Sequence, residues 1–281
     1  MEVFDIKSRI DYDLVKKIFS NVTNGKLFLE KINIKTKSLT PKETYNAIVN
    51  NWDYGIALPI IREIFKNSDK FKRGSKGAET VKILLQEWKE LGFGNVSWPF
   101  SQGAFDNFVQ SLNSENIARN LKDEKVKIAA VKYRRIKEIN TERNDFLESL
   151  IFLKNDNIIP TLSNTKGVDF FINGISFDQK VARSVTKEFI KDFGDNWKEY
   201  AIKNPQKVAE YLYRLQDEGR FGSNPRLFIV YLDENISPLL VKETIEKTNL
   251  DKPLDISFTY NHKDVGEKSY KTQAFVILLG C

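Results

Sequence analysis

The chain has 281 residues, enough for one large domain or for a core with a substantial helical addition. Apolar residues make up 41% and charged residues 29%, no apolar run approaches the ~20 residues of a membrane span, and the opening MEVFDIKSRI lacks the basic and apolar regions of a secretory signal, so a cytoplasmic location is expected. The 44 basic and 38 acidic side chains leave a formal charge of +6, which permits a polyanionic partner without demanding one; a single cysteine, Cys281, and a single histidine, His262, argue against an internal disulfide, a cysteine-rich zinc centre and reactions that need several imidazoles.

In chain order, helical periodicity dominates from about 10 to 155: DYDLVKKIFSNV, a helix around 42 to 67, AETVKILLQEWKELGF, FDNFVQSL, and a long segment from 123 to 154. In that last segment Val126, Ala129, Tyr133, Ile136, Asn140, Arg143, Leu147 and Leu150 recur at spacings of three and four, the pattern of a bundle helix with a partly polar seam. From about 157 onward, short β-rich runs alternate with helices: NIIPTL, VDFFI, ISFDQKVA, helices near 185 to 194 and 205 to 217, RLFIVYL, a helix near 237 to 248, DISFTY and QAFVILL. FGSNPR supplies turn chemistry ahead of RLFIVYL, and His262, in YNHKD between two strands, reads as a surface turn residue. There is no internal repeat or low-complexity linker. The expected fold is α/β or α+β, a mixed central sheet flanked by helices, with residues 1–140 as a helical region and 141–281 as the core.

The segment VDFFINGISFDQKVA, residues 168–182, sets charges into an apolar run. Asn173-Gly174 is a strong signal for a type I′ hairpin, because both central residues of that turn need positive φ. With those two as the loop, Ile172 pairs with Ile175, Phe171 with Ser176, Phe170 with Phe177 and Asp169 with Asp178. Alternation then gives one face to Phe170, Ile172, Ile175, Phe177 and Val181, with Gln179 its polar member, and the other to Asp169, Phe171, Ser176, Asp178 and Lys180. The first face is expected in the core, and Phe171 implies partial cover for the second. Like charges opposed across a ladder repel, and a divalent cation would offset that; hard oxygen ligands suit Mg²⁺. A plain polar face of a hairpin remains the alternative.

Asp169, then Asp178-Gln179-Lys180 on a second strand, resembles the motif of the PD-(D/E)XK nuclease superfamily, which includes many restriction endonucleases. The resemblance covers about residues 145–232, where the order helix, strand, hairpin, helix, strand is similar to that superfamily's core; Val168 stands where the family often has proline. It implies a restriction-endonuclease-like core in which Asp169 and Asp178, with the carbonyl of Gln179, bind Mg²⁺. Lys180 would orient a water that attacks phosphorus in line, leaving a 5′-phosphate and a 3′-hydroxyl. It also implies a helical glutamate, for which Glu148 in TERNDFLESLIF is the first choice and Glu79 in GSKGAETVKILL the rival.

The implied activity is that of a type II restriction enzyme cutting double-stranded DNA at a short specific sequence. A homodimer and a cognate DNA methyltransferase are its expected partners, and the helical region would serve dimerisation or embrace DNA. A repair or junction-resolving nuclease on the same core, or a non-catalytic DNA-binding protein on a nuclease-like scaffold, stay open. The absence of a GxxxxGK[ST] loop argues against an ATP-driven nuclease. Lys125, Lys132 and Arg135 share one side of the long helix, as phosphate contacts or as a solvated bundle face, and Arg183 and Lys187 follow the motif closely enough to touch the DNA backbone or simply to open a helix. Tyr211, Tyr213, Arg214 and Trp98 reach bases, or pack a helix core and anchor a loop.

Overall fold

The computed structural model describes residues 3–94, 102–162, 168–215, 223–233, 236–262 and 265–280. It begins with four helices, α1 (Tyr12–Phe19), α2 (Val22–Lys31), α3 (Pro41–Asn50) and α4 (Tyr54–Lys66). Each opens on a side-chain cap: Asp11, Asn21, Thr40 and Asp53 accept from the amides of Leu14, Asn24, Glu43 and Ile56, donors that a first helical turn leaves unbonded. The single helix expected over 42–67 is therefore two, because Asp53 caps a second start just after α3 ends at Asn50.

There follow α5 (Asp69–Gly74), α6 (Gly77–Glu90), α7 (Gln102–Ser114) and the 36-residue α8 (Arg119–Lys154). Then come β1 (Ile158–Pro160), β2 (Phe170–Ile172), β3 (Ile175–Ala182), α9 (Lys187–Phe193), α10 (Trp197–Lys203), α11 (Pro205–Leu215), β4 (Arg226–Tyr231), α12 (Pro238–Lys247), β5 (Leu254–His262) and β6 (Gly266–Leu279). All six strand-like runs of the sequence are strands; α2, α5 and α10 are helices that its periodicity did not announce.

The chain packs as two compact units, Met1–Asp69 with Leu150–Cys281, and Lys70–Ser149. The expected division at 140/141 falls inside α8, strands begin at Ile158, and packing joins the first four helices to the sheet. Phe171 and Ile159, on neighbouring strands, share a core with Leu14, Val15, Ile18, Phe28, Ile48 and Ile61. Arg62 of α4, 9% exposed, donates from Nη1 to the carbonyls of Phe152, Asn155 and Ile158 at 2.6–2.9 Å, which pins α4 to the chain entering β1.

The six strands form a mixed sheet in the order β1-β2-β3-β4-β6-β5. β1-β2, β2-β3 and β5-β6 are antiparallel, while β3-β4 and β4-β6 are parallel. Helices α9 to α11 cover β4, β5 and β6 through Phe189, Ala201, Val208, Leu212 and Tyr213, packed with Phe228, Val230 and Ile256. Two registers place Asp178, Arg226 and Ala274 in one row across the sheet. On the other half of β3, the N-terminal segment pairs instead: Ser176 N–H donates to Phe4 O and Ile6 N–H to Gly174 O, both at 2.9 Å. Among the described residues no helix is long and apolar enough to cross a membrane.

Candidate active site

The β2-β3 turn has φ of 54° at Asn173 and 88° at Gly174, the positive values that a type I′ turn requires. Gly174 is also a close approach, since a Cβ there would lie 2.7 Å from Lys7 Cγ. The register is the expected one for Phe170 with Phe177, Phe171 with Ser176 and Ile172 with Ile175, and beyond those pairs Asp169 N–H donates to Phe177 O at 3.0 Å.

At Asp169 the ladder gives way to the side chain. Asp178 N–H donates to Pro225 O on the β4 side, so the alternation of β3 turns the N–H and C=O of Gln179 to the β2 side. A continued ladder would have offered Gln179 N–H the carbonyl of Val168; instead it donates to Asp169 Oδ2 at 2.6 Å. One carboxylate is thereby locked beside the backbone of the other strand's motif, with the Gln179 carbonyl pointing the same way.

Asp178 is 7% exposed. Its Oδ2 takes an ion pair from Lys180 Nζ at 2.8 Å and a longer one from Arg226 Nε at 3.9 Å. Lys180 keeps 40% of its side chain exposed, so it can turn between Asp178 and an incoming group. Arg226 cannot, being 1% exposed and set over the ring of Tyr213 at 5.2 Å. Burial lowers the Arg226 pKa, against the opposing pull of Tyr213 and Asp178, and burial drives the Tyr213 phenol well up. Ser176 is covered too, its Oγ accepting from Phe4 N–H at 3.1 Å. The second hairpin face is thus more enclosed than expected, with Phe171 fully buried, while Gln179 and Val181 on the supposed core face are only half-buried.

The motif residues Asp169, Asp178, Gln179 and Lys180 are brought together. Glu148 and Glu79 lie in the Lys70–Ser149 unit. Glu148 is ion-paired with Lys70, and burial raises its pKa despite that partner; Glu79 is exposed on α6. In the same unit Lys125 pairs with Glu115 at 3.1 Å, Lys132 lies 5.6 Å over the rings of Trp88 and Phe93, and Arg135 pairs with Glu87 and, at 3.7 Å, Glu138. Arg183 is half-buried just past β3, and Lys187 is exposed in the first turn of α9, which Thr186 caps.

Tyr213 belongs to the helix core. Tyr211 donates to Asp192 Oδ2 at 2.6 Å, which pushes its pKa up to about 12, and Arg214 stacks over its ring. Trp98 lies outside the described residues. His262 closes β5 and meets Tyr270 Oη at 2.5 Å. Arg226 is the residue that sequence reading passed over; its signal was a charge heading the apolar run RLFIVYL, with nothing local to say that a parallel pairing would set it against Asp178.

The donor set of two carboxylates and a backbone carbonyl is hard-oxygen chemistry and fits Mg²⁺. Among the described residues no group of three or more His, Cys, Asp or Glu gathers as a metal cluster. No protein-family profile, no curated protein and no solved structure matches the chain.

Proposed function

We propose that the protein is a Mg²⁺-dependent endonuclease of the PD-(D/E)XK type, acting on double-stranded DNA as a type II restriction enzyme. The observation that carries this reading is the gathering of the motif residues at the end of the hairpin, with Lys180 on Asp178 Oδ2 and Gln179 N–H on Asp169 Oδ2. The element order α8, β1, β2-β3 hairpin, helices, β4, with β4 parallel to β3, supports a restriction-endonuclease-like core.

In this reading Asp169, Asp178 and the Gln179 carbonyl would hold Mg²⁺. When bound, the ion supplies Lewis-acid polarisation of a phosphoryl oxygen and lowers the pKa of water. The chain's own residues do the rest: Gln179 N–H fixes the Asp169 carboxylate, Arg226 holds Asp178 from below, and the half-exposed Lys180 orients the attacking water and then faces the charge that grows on phosphorus. Cleavage of both strands at a symmetric site fits a homodimer, with a DNA methyltransferase protecting the host's own sites.

Plasmid and phage DNA incubated with the purified protein and Mg²⁺ should give discrete fragments. Asp178→Ala should abolish them, and Lys180→Ala should slow cleavage on the order of 10²-fold or more. Inertness of the folded wild type on varied DNA would sink the proposal. A second reading, a DNA-binding protein on the same scaffold, is favoured by Oδ2 of Asp178 already carrying two cations. DNA binding unchanged by Mg²⁺ and by Asp169→Ala, without cleavage, would choose it.

A further inference from the structure

We propose that the outer edge of β5 is the surface on which a second copy of this chain pairs, β5 against β5 in antiparallel, joining two six-stranded sheets into one. The need for two copies rests on the nuclease reading above; the surface is assigned from the strand itself.

The two edges of the sheet are β1 and β5. An edge strand displays unpaired N–H and C=O groups, and chains that stay single blunt it by shortness, proline, charge or a bulge. β1 is blunted, having three residues and ending on Pro160. β5 uses none of these means. It runs for nine residues, LDISFTYNH, with Asp255 its only acidic residue and no proline, lysine or arginine. Its pairing with β6 is unbroken from Leu254–Ala274 to His262–Gly266, so no bulge twists it away.

The direction of its free groups follows from the sheet. Leu279 O accepts from Leu232 N–H on the β4 side, so alternation along β6 turns Gln273 the same way, and its partner Asp255 faces outward from β6. Ser257, Thr259 and Asn261 follow Asp255. Gln206 Nε2 donates to Asp255 O at 2.9 Å, and among the described residues no other hydrogen bond reaches the β5 backbone from beyond β6.

The strand is complementary to itself. The one antiparallel register that pairs all nine residues is centred on Phe258. It sets Ser257 of one copy against Thr259 of the other, Asp255 against Asn261, Ile256 against Tyr260 and Leu254 against His262. Outward backbone groups then oppose outward backbone groups, and no like charges face. Ile256, Phe258 and Tyr260 stand on the side that α9 to α11 pack, so the apolar side chains of the two copies meet there, while Ser257 and Asn261 stay on the solvent side. The pairing is two-fold and uses up both β5 edges; with β1 blunted, assembly stops at two copies.

Sedimentation of the full chain should give twice the monomer mass. Thr259→Pro removes an outward N–H and none that bonds β6, so it should weaken the dimer about tenfold or more, with thermal melts to establish that it is folded. In a Cys281→Ser background, Thr259→Cys should be joined across the dimer by a bismaleimide spanning ~8 Å, the separation of diagonal neighbours. Ser269→Cys, one strand inward as the β6 partner of Thr259, should not be joined. The linking decides the matter even if Thr259→Pro does not fold. A wild type that stays monomeric at its highest soluble concentration, a folded Thr259→Pro dimer of unchanged affinity, or a Thr259→Cys chain that does not link would overturn the inference. Cleavage that Asp178→Ala abolishes would then still support the nuclease reading, and a linked dimer inert toward DNA would remove that reading and leave this surface standing.

Discussion

Glu148 illustrates how one buried side chain carries information about pH. Burial raises its pKa above the ordinary carboxylate value, and Lys70 only partly opposes this. The folded protein therefore holds the Glu148 proton to higher pH than the unfolded chain does, so this group lowers stability as pH rises from the ordinary carboxylate range toward the raised value. Glu148→Gln removes that dependence. The change in melting temperature from pH 4 to pH 7 should be more positive in the variant than in the wild type; an identical change would show that the carboxylate is solvated. Asp178 and Arg226 make a related point at the same scale: Asp178-Gln179-Lys180 reads directly from the sequence, but the buried cation opposite does not, because its contact depends on which strand lies next to β3.

At the scale of the elements, the β2-β3 hairpin was legible down to its register. A two-residue turn leaves one way to pair the flanking residues, and period-two alternation then assigns every side chain to a face. Gly174→Ala tests this: with φ at 88° and a Cβ 2.7 Å from Lys7 Cγ, the variant should lose about 1–2 kcal/mol in denaturant melts. A loss close to zero would mean that the N-terminal segment gives way easily. What alternation could not supply was the end of the ladder, where the Asp169 side chain replaces a backbone acceptor for Gln179 N–H. Helix boundaries were less readable. The 42–67 segment is split by an Asp53 cap, and α2 contains Asn24-Gly25, a dipeptide whose local chemistry favours a turn.

At the scale of the molecule, the first 69 residues belong with the sheet. The sequence pattern set residues 1–140 apart as one helical region, yet the apolar faces of α1 to α4 enclose Phe171 and Ile159. Arg62 adds a polar tie to the same junction, and Arg62→Met should cost about 3 kcal/mol in equilibrium unfolding, since three carbonyls lose a charged donor. A loss below about 1 kcal/mol would show that water replaces the guanidinium there.

Asn-Gly occurs at both 24–25 and 173–174, inside a helix in one place and as a type I′ turn in the other. The sequence by itself determined what depends on neighbours a few residues apart: the six strands, most helices and the hairpin register from Ile172–Ile175 to Phe170–Phe177. Only the tertiary structure decided what depends on distant segments meeting. These were the Phe4–Ile6 pairing on one half of β3, the burial of Phe171 under α1 to α4, and Arg226 beneath Asp178. The physical reason is that turn chemistry and periodicity are short-range restraints on φ, ψ and side-chain direction, whereas strand order and the charge of a buried centre are set by which surfaces exclude water together.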